Sequence, residues 1–80
     1  MIIIRDDNET IYDYLDRVKW DLRMHITDKW RPAIVQVSCD VTMDVLKFVI
    51  DDKHNQYIDA TEYISKNYDH FIIENNIDYL

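Results

Sequence analysis

None of the 80 residues is glycine. Such a chain has no residue that enters the left-handed backbone region freely. Every turn or helix end that needs φ > 0 must use Asn, Asp or an ordinary residue. Asn8, Asn55, Asn67, Asn75 and Asn76 are the natural choices. The same absence excludes the glycine-rich loops that cradle phosphates, so the chain holds neither a P-loop nor a dinucleotide-binding fingerprint.

Within that constraint the periodicity is cleanest over residues 33–50, AIVQVSCDVTMDVLKFVI. Ala33, Val35, Val37, Cys39 and Val41 alternate with Ile34, Gln36, Ser38, Asp40 and Thr42, as in a strand with one buried and one mostly polar face. Thr42-Met43-Asp44 interrupts the pattern. Leu46, Phe48 and Ile50 then alternate with Val45, Lys47 and Val49. Two β-branched and aromatic runs about three residues apart predict an antiparallel hairpin.

The flanking segments supply the rest of the fold. Met1-Ile2-Ile3-Ile4 is apolar throughout and predicts a buried strand in the interior of the sheet. Asp6-Asp7-Asn8-Glu9 predicts a turn and helix start, with Asp or Asn as the cap and acids at the positive end of the helix dipole. From about residue 9 to 26 the period becomes helical, with Ile11, Tyr14, Leu15, Val18, Leu22 and Ile26 on one stripe. Asp13 and Arg17, and Arg17 and Asp21, stand at i,i+4 spacing. Trp20 and Met24 fall off the stripe and are expected at the edge of the core or partly exposed. Pro32 separates this helix from the first hairpin strand.

After the hairpin, residues 51–56 form a polar turn, and Tyr57-Ile58 suggests a short strand. Asp59-Ala60-Thr61-Glu62 has capping-box spacing, followed by Ala60, Tyr63, Ile64 and Tyr68 as an apolar side. That helix either runs on through Phe71, Ile72 and Asn75, or stops near Asn67 ahead of a final strand over 69–74. The all-round apolar run Phe71-Ile72-Ile73 favours the strand. The order is then βαββα or, with the final strand, the βαββαβ order of ferredoxin-like domains. Both describe one small α+β domain over residues 1–80: a single sheet with two helices packed on one face.

Eighty residues hide roughly 60–65% of their unfolded surface and leave no room for a second lobe around a deep cleft. A hydrophobic fraction of 48% argues against disorder. The apolar runs are far shorter than the ~18–20 residues that span a bilayer, and the N-terminal run lacks the layout of a signal peptide. One cysteine excludes an intramolecular disulfide. Cys39, on the apolar side of its strand, is expected as a buried thiol in the reducing cytoplasm.

Residues able to carry chemistry are scattered. His25, His54, His70 and Cys39 show no zinc-ligand spacing. Asp51-Asp52-x-His54 is the one local cluster and reads as a solvated turn. Asp51-x-Lys53, with Asp40 or Asp44 upstream, resembles over three residues the acid-x-lysine pattern of metal-dependent nucleases, where carboxylates hold the metal and lysine orients a water. A net charge of −7 would repel such an enzyme's substrate. Ser38, Ser65 and Cys39 lack the partners of a nucleophilic triad. The expectation is a protein without catalytic activity, metal or cofactor.

Charge and aromatic residues point to binding instead. Residues 1–16 set Arg5 against five carboxylates, net −4. Residues 17–31 carry net +3, and residues 32–80 carry net −6. Direct binding to nucleic acid is disfavoured, and a basic protein surface is the more fitting partner. The candidate surface combines Asp6, Asp7, Glu9, Asp13 and Asp16 with Asp51, Asp52, Asp59 and Glu62. Trp20 and Tyr57 would be its aromatic anchors. Tyr12 and Trp30 are also expected to be exposed, whereas Tyr14, Tyr63 and Tyr68 should complete the core. In size and charge the chain is similar to the small acidic proteins that phages use against nucleic-acid-binding host enzymes, including restriction and CRISPR effectors. That similarity implies an inhibitor mimicking nucleic acid in the host cytoplasm. The competing expectation is a homo-oligomer or complex-forming domain, joined through an open sheet face on which Ile34, Val45 and Val49 stand.

Overall fold

Leu46, Phe48 and Ile50 are fully enclosed, and both helices and both neighbouring strands contribute to the packing around them. The computed structural model describes residues 2–25, 34–51 and 57–76. In chain order the elements are α1 (Ile11–His25), β1 (Ile34–Asp40), β2 (Val45–Ile50), α2 (Tyr57–Asn67) and β3 (Phe71–Asn75).

β1 and β2 form the antiparallel hairpin, with Val37 opposite Phe48 and Cys39 opposite Leu46 on the core side. Ser38 opposite Lys47 and Asp40 opposite Val45 occupy the other face. The register shifts between Ile34 and Gln36. An extra residue in one strand reverses the alternation, since side chains repeat every second position. Ile34 therefore lies opposite Ile50 and packs against the core, while Val35 is exposed. The expected faces of these two residues are exchanged.

β3 joins the free edge of β2 in parallel, with Phe71 beside Leu46 and Ile73 beside Phe48. Parallel neighbours need a crossover, and α2 lies within it. The helix thus ends at Asn67 and a final strand follows, giving a mixed sheet in the order β1-β2-β3. Phe48 stacks on Tyr68 with ring centroids 5.7 Å apart and meets Phe71 edge-on at 6.2 Å. Truncating so enclosed an aromatic typically costs about 3–5 kcal/mol.

Further expectations are corrected. The N-terminal run is not a buried interior strand. Both edges of β2 are taken, and Ile3 makes only an isolated parallel bridge to Tyr68, its N–H donating to the Asn67 carbonyl at 2.8 Å. Ile2 and Ile4 on either side are exposed. Tyr57-Ile58 is the first turn of α2 rather than a strand. Tyr57, Ala60 and Ile64 share one helical face toward the core, and Ile58 points to solvent. The Asp59–Glu62 spacing consequently falls inside the helix, where Glu62 pairs with Lys66 at 2.8 Å.

α1 starts later than the acidic turn suggests. Thr10 is its cap: the hydroxyl accepts the Asp13 N–H at 3.1 Å. Asp6 and Glu9 form a turn of their own, with the Glu9 N–H donating to the Asp6 carbonyl at 3.0 Å. The buried Tyr14 hydroxyl donates to the Ile3 carbonyl and accepts the Asp69 N–H, both at 2.9 Å. It fastens the N-terminal segment and the α2–β3 link to α1.

Among the described residues, the left-handed positions are Asp44 (φ 57°) and His70 (φ 51°), not Asn8, Asn67, Asn75 or Asn76. Asn55 lies outside the described residues. Asp and His, like Asn, are enriched in this region. No described helix is long and apolar enough to cross a membrane.

Candidate interaction surface

The outward side of α1 carries a run of exposed charged and aromatic side chains. Val18, fully buried, marks the inner side. On the outside, Tyr12, Trp20 and Met24 are 58%, 63% and 67% exposed, with Asp13, Asp16, Lys19 and Arg23 among them. The Arg23 guanidinium lies 5.7 Å from the Trp20 ring centroid, a cation–π geometry on the open face. Asp13, in the first turn, meets the positive end of the helix dipole. Asp6 and Asp7 precede the helix, also exposed.

The predicted acidic set divides. Asp6, Asp7, Asp13, Asp16 and Asp59 are exposed, Asp59 in the first turn of α2. Glu9 is not part of the open surface: its side chain is 11% exposed because Arg17 grips it, Nε to Oε2 and Nη2 to Oε1 both at 2.7 Å. Those hydrogen bonds hold the Glu9 carboxyl below its ordinary value and raise Arg17. Arg17 also donates to the Ile4 carbonyl at 2.8 Å, so neither i,i+4 partner read from the sequence takes it. Glu62 is exposed but paired with Lys66, which lowers its carboxyl as well.

Asp51, expected in a solvated turn, is 8% exposed at the end of β2. Tyr57, expected as an anchor, packs against the core. Asp52, Lys53 and His54 of the same turn, together with Trp30, lie outside the described residues. Among the described residues, no three of His, Cys, Asp and Glu gather where a metal ion could bind. Cys39 is half-buried on the core side.

Sequence reasoning missed two polar groupings. The Tyr68 hydroxyl donates to the carboxylate of buried Asp21, and the Tyr63 ring meets that of Tyr68 at 6.2 Å and 66°. Burial, then the Asp21 hydrogen bond, raise the Tyr68 phenol far above its ordinary value. The signal was present: Asp21 stands three residues after Val18 and seven after Tyr14, on the buried stripe. In the second grouping, Arg5 Nη1 donates to Asp44 Oδ2 at 2.7 Å, Nε donates to the Glu9 carbonyl at 3.1 Å, and the Arg5 N–H donates to Asp69 Oδ1 at 3.0 Å. The Arg5 hydrogen bond holds the Asp44 carboxyl below its usual range. His70 Nε2 lies 3.4 Å from Asp69 Oδ2. Arg5 stands 39 positions from Asp44 and 64 from Asp69, and no local spacing links residues so far apart.

The surface thus offers solvent-facing carboxylates and aromatic rings on a rigid helix, suited to docking a cationic protein surface. No protein-family model, no curated protein and no solved structure matches the chain.

Proposed function

We propose that the protein is a small binding module, an inhibitor that docks the acidic and aromatic face of α1 on the basic nucleic-acid-binding surface of a target protein. One observation carries this reading. Asp6, Asp7, Asp13 and Asp16 are exposed and make no ion pair among the described residues, and Tyr12 and Trp20 are exposed with them. Carboxylates held on a helix and in the turn ahead of it can occupy cationic sites that otherwise take phosphates, and their field speeds association. Exposed Tyr and Trp supply anchoring area at small cost in rotamer freedom. The reading assigns no catalysis, no cofactor, no direct contact with nucleic acid or membrane, and action in the cytoplasm, that of the host for a phage-encoded protein.

In fold terms, the Ile3 bridge stands in for a first strand in the ferredoxin-like order of elements. Both helices lie over the face of Leu46, Phe48 and Ile50. The opposite face then carries Val45, Val49 and Ile72 around the 2.8 Å Lys47–Glu74 pair. That half-exposed apolar trio favours a second reading, a homo-oligomeric or complex-forming domain joined through the sheet.

Salt separates the two. Tagged protein is used to recover partners from bacterial lysate at low and at high ionic strength. The inhibitor reading expects a nucleic-acid-binding protein that leaves at high salt, is displaced by added DNA or RNA, and is lost with Asp13→Lys/Asp16→Lys. Recovery indifferent to salt and to charge reversal overturns it.

A further inference from the structure

We infer that α1 is also a self-association helix: two copies of this chain dock their α1 helices antiparallel through the face opposite Val18. The argument is geometric. At 100° per residue, Asp16 and Trp20 lie about 20° either side of the line opposite Val18, and Asp13 and Arg23 about 40°. Tyr12 and Met24 lie about 60° from that line. All six are exposed, so the face is open along the helix.

The order of residues on this face is self-complementary. A two-fold axis passing between the helices at the level of Val18 reverses height but keeps each residue on its own side of the seam, so Arg23 comes beside Asp16 of the second copy, about 4.5 Å away along the axis. On the other side of the seam Asp13 comes beside Met24, about 1.5 Å away along the axis, and each pairing occurs twice. Acids occupy the N-terminal half of the face and Lys19 and Arg23 the C-terminal half. Antiparallel docking therefore joins opposite charges, whereas parallel docking would set like against like. Arg17, at the flank, is already neutralised by Glu9. The two helix dipoles also run opposed, which is their favourable arrangement.

The strip is about 18 Å long and one helix face wide, less than a standard interface, so the dimer is weak and forms at high micromolar concentration. The inference needs no second kind of protein and stands independently of the inhibitor reading.

Sedimentation equilibrium from about 10 μM to about 1 mM, with circular dichroism to verify folding of each variant, tests it. The expected result is a monomer–dimer equilibrium that Asp16→Arg and Arg23→Asp each weaken roughly tenfold or more. The double swap returns affinity to within about threefold of the starting chain, because the opposed charges are restored at both symmetric pairs. Trp20→Ala abolishes the dimer. A chain that stays monomeric throughout overturns the inference. So does a dimer that ignores the swap and dissociates with Val49→Lys, which would place the contact on the sheet. Asp6→Lys/Asp7→Lys keeps the two proposals apart: it weakens capture of a basic target and leaves self-association unchanged.

Discussion

The hydroxyl of Tyr68 donates to the carboxylate of Asp21, joining the residue after α2 to the inner side of α1. Asp21 is 8% exposed and Tyr68 4%. A carboxylate withdrawn from water is strongly unfavourable unless hydrogen bonds replace its hydration. This donor is therefore part of what allows an aspartate on an otherwise apolar stripe.

Tyr68→Phe keeps the ring stacked on Phe48 and removes the donor alone. Hydrogen bonds to charged groups contribute about 1.5–3 kcal/mol, so the variant should lose about 2 kcal/mol of stability. Urea denaturation should show a lower midpoint at unchanged slope. An unchanged midpoint would show that the bond contributes nothing net.

The same burial governs alkaline behaviour. Tyr14 and Tyr68 are both held neutral in the folded state, their phenols raised above the ordinary 10.0 chiefly by burial. Stability from a raised group is complete below the unfolded pKa and is lost as pH climbs toward the folded one. The melting temperature should fall above pH 10, and less steeply in Tyr68→Phe. Late phenolate absorbance, coincident with unfolding, would report the same two groups.

At the acid end Glu9, held by Arg17, contributes alongside Asp44 and Glu62. The folded Glu9 carboxyl is depressed below 4.5, so its contribution is present above that value and lost as pH falls through the folded pKa. Glu9→Gln should be less stable than the starting chain at neutral pH and should flatten the decline below pH 4.5. Parallel stability–pH curves for the two proteins would remove this pair from the account.

His70 tests backbone conformation. A left-handed φ costs roughly 1–2 kcal/mol for an ordinary L-residue and is least tolerated by β-branched side chains. His70→Val should be less stable than His70→Asn by about 1–2 kcal/mol. Equal stabilities in a thermal melt would mean that the segment relaxes to another conformation.

The exposed, unpaired carboxylates and a net charge of −7 also predict a salt response. Self-repulsion destabilises the compact state and is screened within a Debye length of about 10 Å at 0.1 M. The melting temperature should rise between very low and moderate ionic strength. A fall would mean that the Arg17–Glu9 and Arg5–Asp44 attractions outweigh the repulsion.

What could be read from the sequence was whatever repeats locally. The β1–β2 hairpin, α1 and the strand at Phe71–Asn75 follow from side-chain period, turn composition and the apolar run. The N-terminal Ile2-Ile3-Ile4 run was misread because its placement depends on which edges of β2 remain free, a property of the assembled sheet. Ile34 and Val35 exchanged faces through a one-residue bulge that no alternation rule anticipates. Among the site residues, Asp13, Asp16 and Trp20 were legible as positions off the apolar stripe. Glu9 was lost to Arg17 because a carboxylate preceding a helix can still be reached by a long side chain two turns into it. Asp51 was misplaced because two adjacent acids look like a solvated turn, whatever encloses the first.

The missing glycines also bear on how the hairpin closes. A glycine turn supplies its conformation from within four residues, but here the turn ends at Asp44, whose carboxylate is held by Arg5, 39 positions earlier in the chain. Part of what secures the turn is absent until those distant segments meet, and loop-closure entropy must be overcome first. An excised peptide of residues 34–50 would lack that clasp. Its hairpin should be less populated than the clean alternation of its sequence suggests, so the most legible element in the chain is not the most autonomous.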